Sequence, residues 1–168
     1  MLLIAGGGGD SDSEASKQAS QLQDKFLAHT VVVPDKGMSV RRPANWSDSK
    51  KGGVIALQSH DRCLAMTLSA PQAADDAKGL RDDSVALLKR SFGNAKLRPA
   101  PDSEVGGIPT ASDAITFTDQ KGNPIQVLLS VGTGDKYAYV TEIVVRDPSC
   151  QGDLQLAQVV LGSIEYTK

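Results

Sequence analysis

Two cysteines, two histidines and a single tryptophan are the residues of this chain most able to carry chemistry, and their spacing removes most of what they could do. Cys63 and Cys150 stand far apart, neither in a Cys-x-x-Cys pair nor at ligand spacing from a histidine, so zinc binding and thioredoxin-like exchange both lack their donor sets. A long-range disulfide or two buried free thiols remain. We expect the disulfide, because each cysteine follows a polar turn at a strand end: His60-Asp61-Arg62 before Cys63 and Asp147-Pro148-Ser149 before Cys150. Closing a loop of that length restricts the unfolded chain by about 4 to 5 kcal/mol in the entropy model. His29 falls at a strand start and His60 in a turn, and neither anchors a triad or a metal pair. No Gly-x-Ser-x-Gly elbow, Walker A loop, His-Glu-x-x-His pattern or dinucleotide fingerprint occurs, and Gly132-Thr133-Gly134 reads as a hairpin turn. These residues therefore point to no catalytic centre, no metal and no cofactor.

A binding surface needs less than a catalytic centre, and one set of residues could supply it. Trp46 follows Pro43 at a strand exit, where an indole can fill the core with its body and keep its edge at an opening. Arg41, Arg42 and the tyrosines Tyr137 and Tyr139 could add polar contacts around it. The alternative is that Trp46 is core and that the arginines, with Lys50 and Lys51, guard an exposed strand edge.

With 168 residues, the chain has the size of one domain, and its core must be aliphatic, since aromatic residues make up only 4%. A net charge of -2 without a Lys/Arg-rich block lacks the electrostatic footprint of a nucleic-acid binder, so no nucleic-acid partner is expected. The start, Leu2-Leu3-Ile4-Ala5-Gly6, gives way abruptly to Gly7-Gly8-Gly9-Asp10-Ser11-Asp12-Ser13. This run resembles the lipobox of bacterial lipoproteins followed by a flexible tether, with Gly7 at the position of the lipidated cysteine, which is absent. On that reading residues 1–24 are a lipobox-like start and tether and residues 25–168 one globular domain. Contact with a membrane would require the lipid anchor this sequence lacks. The residues alternating around Asp10, Asp12 and Glu14 lack the glycine and the later glutamate of a calcium loop and read as a solvated linker.

Alternation and turn chemistry set the expected elements. Residues 29–33 and 38–42 form a hairpin about Pro34-Asp35-Lys36-Gly37, and residues 53–59 and 63–70 a second about His60-Asp61-Arg62. Residues 75–92 read as a helix with Val85, Leu88 and Phe92 on one stripe, and Gly79 is able to confine it to Asp82 onwards. Pro99 and Pro101 restrict residues 95–103 to an edge strand or irregular segment. Residues 111–118, 124–131 and 137–146 then form three antiparallel strands, and residues 153–166 a closing helix capped by Asp153. In the strand 137–146, Tyr137, Tyr139, Ile143 and Val145 alternate with Ala138, Val140 and Val144, so neither face suits water. The expected fold class is α+β, an antiparallel sheet with helices on both faces, an α/β/α sandwich.

The stretch Gly37-Met38-Ser39-Val40 with Pro43 through Trp46, the Gly-Ile-Pro-Thr-Ala run at residues 107–111 and the closing Ser163-Ile164 carry a likeness. The chain resembles the PsbP-like sandwich family, and within it the exported actinobacterial lipoproteins of the LpqN type. The resemblance spans residues 31–166 by element order and implies a non-enzymatic accessory or binding protein of the cell envelope, recognising another envelope protein or a small apolar ligand. The alternative is a small hydrolase or transferase with an unrecognised site. No functional residue is carried over from the family.

Overall fold

A computed structural model describes residues 26–146 and 151–166; the expected tether with Gly7, and Cys150, lie outside them. Two antiparallel sheets carry the fold. In the smaller, β1 (His29–Val33) pairs with β2 (Met38–Arg42), as the Pro34–Lys36 turn and Gly37 in the left-handed region predict. The larger sheet has seven strands: β3 (Ser47–Lys51), β4 (Val54–Gln58), β5 (Leu64–Ala73), β6 (Lys96–Val105), β7 (Ile108–Thr118), β8 (Pro124–Thr133) and β9 (Tyr137–Val145). Their spatial order is β3-β4-β5-β9-β8-β7-β6, so β6 and β3 form the edges. The prolines of β6 sit on one of those edges, where a missing amide hydrogen interrupts no ladder on both sides.

Three elements differ from the sequence reading. β3 was not expected: its Ser-Asp-Ser-Lys-Lys sequence is exposed throughout and carries no apolar alternation. It is held by the two-residue loop Gly52-Gly53, both at positive φ, which joins it to β4 as a tight hairpin. The first helix, α1 (Ala77–Ser91), is not one of them: it follows a 3-10 turn over Ala74–Asp76 and runs through Gly79, inside the expected span 75–92. The second, α2 (Gln151–Leu161), starts before Asp153, which is therefore not its cap, and stops five residues short of Tyr166. Gly162 and Ser163 turn the chain, and β10 (Glu165–Tyr166) adds to the small sheet beside β2.

Because successive side chains of a strand face opposite ways, the large sheet separates two cores. One joins Met66, Leu68, Tyr139 and Ile143 to the small sheet, to Trp46 and to Ala157 and Val160 of α2. The other joins Ile115, Leu129, Val131 and Val140 to Leu80 of α1, with Val85 and Leu88 packed against it. The alternation of β9 thus feeds both.

Two tyrosines tie the two sheets together. Tyr166 stacks on Tyr139 at 4.1 Å between ring centroids, and its hydroxyl lies 2.6 Å from Thr141 Oγ1. Its amide donates to the carbonyl of Gly106 in the β6–β7 turn, and the Tyr139 hydroxyl donates to the Lys36 carbonyl. Burial raises the pKa of both phenols, most strongly at Tyr166.

Candidate functional site

Between α2 and strands β7, β8 and β9 lies a cleft of about 320 Å³. Its surface is built from Ala114, Leu128, Ile143, Ala157 and Leu161, with the amides of Gln126 and Gln158 also lining it. The sequence explains the opening locally: β7 contributes the small Ala114 and the exposed Thr116, where a large residue would fill the space under the helix. No ionisable side chain lines this cleft.

One step along each strand, the same face changes character. Ser112, Ser130 and Thr141 replace Ala114, Leu128 and Ile143 two residues away, and register places Ser112 beside Ser130 and Ser130 beside Thr141. The Ser112 and Ser130 hydroxyls lie 2.8 Å apart, Ser103 bonds to Thr110, and Thr141 bonds to Tyr166. These buried hydroxyls satisfy one another, as buried polar groups must, and so form structure and not a donor array facing the cleft. An uncharged apolar cleft beside a self-satisfied hydroxyl row can hold a hydrophobic group; it has no acid, base or activated nucleophile to offer one.

The residues singled out from sequence do not converge on one place. Trp46 is buried at 3% exposure within the first core, so its indole has no open edge. Arg41 donates through Nη2 to the Leu27 carbonyl, and its backbone amide donates to Ser163 Oγ. Arg42 pairs with Asp48 and donates to the Pro43 carbonyl. Tyr137 lies at the other end of β2, its ring 4.4 Å from Lys36 Nζ, and Tyr139 is buried against Tyr166. Arg42 is thus spent on the β2–β3 connection, Arg41 on the segments before β1 and β10, and the tyrosines on joining the sheets. What sequence reading missed is the cleft itself, whose signal was the pair of small residues Ala114 and Ala157 on elements distant in the chain.

Cys63 carries no free thiol. Its carbonyl accepts from the Arg146 amide, which leaves only the segment after Arg146 between that contact and Cys150. Among the described residues no group of histidine, cysteine or carboxylate side chains could hold a metal ion, and no helix is long and apolar enough to cross a membrane.

No family model and no curated relative matches the chain. Solved structures do. Cyanobacterial PsbP (CyanoP) from Synechocystis sp. PCC 6803 superposes with a TM-score of 0.57 at 14% identity, over 82% of this chain and 91% of that one. LpqN, involved in cell envelope biogenesis of Mycobacterium tuberculosis, does so at 0.54 and 12% identity, over 83% and 91%. A Bacteroides thetaiotaomicron VPI-5482 protein matches at 0.57 and 18% identity over 84% of this chain, which spans about half (49%) of that protein. The fold is the PsbP-like one, with LpqN among its structural neighbours.

Proposed function

We propose that this protein is a non-catalytic binding module of the cell envelope that holds a small apolar ligand in the cleft between α2 and strands β7 to β9. The observation that carries this reading is the cleft's composition: apolar floor, flanking amides, and no ionisable group. A hydrolase or transferase would need a positioned acid, base or nucleophile there. The envelope assignment draws on the lipobox-like start and on the shared fold of LpqN, whose described role is in cell envelope biogenesis. A Cys63–Cys150 bridge belongs to the same reading, supported by the short path from Arg146 to Cys150. So does the α/β/α layering, one helix to each face, supported by the separate cores that Leu80 and Val160 join. Residues 1–24 serve as a tether, and deleting them leaves the melting temperature unchanged.

The test is titration with the uncharged fluorescent probe N-phenyl-1-naphthylamine. Ala114→Phe, which fills the floor, and Thr116→Phe, which blocks the exposed mouth, should each weaken binding at least tenfold while the thermal transition is retained. Equal binding by both variants and the parent would refute the cleft.

A further inference from the structure

The face of the large sheet that carries α1 is only half covered. Its core under α1 draws residues from β7, β8 and β9, and none from β3, β4 or β5. On the uncovered half, register aligns Ser49, Ala56, Thr67 and Glu142 in one row across β3, β4, β5 and β9, with Ala65 and Ser69 in the flanking rows of β5. Ala56, Ala65, Thr67 and Ser69 are half-buried, small, and leave room for another backbone to come close.

Glu142 stands at the boundary between this open half and the helix-covered half. Its carboxylate is half-buried, and its hydrogen bond is a long one, 3.4 Å from Thr67 Oγ1. The ion pairs of the described residues, Arg42 with Asp48 and Arg81 with Asp113, do not include it. Beside it opens a hollow of about 360 Å³, walled by Leu88, Phe92, Phe117, Ile125 and Val144. Two other charged residues, Asp119 and Arg146, line the same hollow. Arg146 is four residues further along β9's line, about 13 Å at strand rise, Asp119 is held in its own turn by Asn123 and Lys121, and Lys51 lies at the outer strand.

We propose that this face docks a partner protein through a lysine or arginine side chain, whose methylene stem lies in the apolar hollow and whose charged head meets Glu142. Charge complementarity argues for that occupant: Asp119 is taken up by its own turn and Arg146 stands about 13 Å along the strand line, so a largely apolar hollow beside the half-buried Glu142 carboxylate fits a side chain that is alkyl along its length and cationic at its tip. The broad row of small residues argues for a polypeptide over a free amine, since only a polypeptide would use it. Burial also raises the Glu142 pKa. An ionised Glu142 therefore costs the free protein stability above the ordinary carboxylate range, and a cation returns what solvent no longer provides.

The experiment is a titration of isotope-labelled full-length protein, followed by nuclear magnetic resonance, with the peptide acetyl-Ala-Leu-Lys-Leu-Ala-amide and its norleucine counterpart. The lysine peptide should shift the amides of Thr67, Glu142 and Val144 and bind at least tenfold more tightly than the norleucine peptide. Glu142→Gln, which should fold at least as stably at pH 7, should abolish that preference, and Glu142→Asp should retain part of it. Equal binding of the two peptides, shifts confined to other faces, or an unchanged preference in Glu142→Gln would overturn the proposal. Binding of n-hexylammonium as tight as that of the lysine peptide would overturn the assignment to a protein partner.

Discussion

Gly106 is where two physical demands meet, and replacing it with alanine separates them. The residue has φ +63°, a left-handed conformation that costs an L-residue with a β-carbon about 1–2 kcal/mol. A Cβ placed there would also lie 2.4 Å from Tyr166 Cδ2 and 2.8 Å from Cγ. That ring cannot simply rotate away, because it stacks on Tyr139, its hydroxyl is bonded to Thr141, and its own amide donates to the Gly106 carbonyl. Forcing the ring aside is overpacking of a filled core, typically about 1–3 kcal/mol. Gly106→Ala should therefore destabilise by about 2–5 kcal/mol. Gly52 supplies the control: its φ is +59° and nothing lies within 4 Å of a built Cβ, so Gly52→Ala should cost only the backbone part, about 1–2 kcal/mol. Urea denaturation of both variants, read by tyrosine fluorescence and circular dichroism, gives the difference directly. Equal losses in the two variants would refute the claim that Tyr166 is clamped between the sheets.

The same clamp has a pH signature. Since the folded-state pKa of Tyr166 is raised above its unfolded value, its contribution is intact below about pH 10 and is lost above it, by up to about 1.4 kcal/mol per pH unit; Tyr166→Phe should flatten that alkaline loss in pH-dependent denaturation. Arg81 donates two bonds, at 2.7 and 2.8 Å, to Asp113, whose side chain is only 4% exposed. Arg81→Ala should cost about 2–3 kcal/mol by calorimetry, below the full value for a buried pair because Arg81 is itself a third exposed, and Asp113→Asn in that background should recover part of the loss. Non-reducing peptide mapping should yield one cross-linked species containing Cys63 and Cys150, and reduction should lower stability by about 2–4 kcal/mol; two free thiols by mass would refute the bridge.

Local pattern was enough for much of this protein. The Pro34–Lys36 turn, the alternating runs of β5, β7, β8 and β9, the edge position of the proline-bearing β6 and the stripe of α1 all follow from backbone sterics and side-chain period, which neighbouring residues determine. The apolar character of both rows of β9 was legible in the same way, and each row joins its own core. Tertiary structure decided the rest. β3 has no apolar pattern and exists because the Gly52-Gly53 loop folds it onto β4. β10 looks like the end of a helix by composition, yet Gly162 releases it to pair with β2, a strand more than a hundred residues away. The roles of Arg41, Arg42, Tyr137 and Tyr139 were equally hidden, because a side chain's partners depend on which distant backbone carbonyl or ring arrives beside it. The cleft under α2 and the open face around Glu142 are products of juxtaposition alone: Ala114 and Ala157, or Thr67 and Glu142, acquire meaning only when separate elements meet. Chemistry that depends on convergence cannot be read from spacing along a chain, and in this protein every candidate binding feature is of that kind.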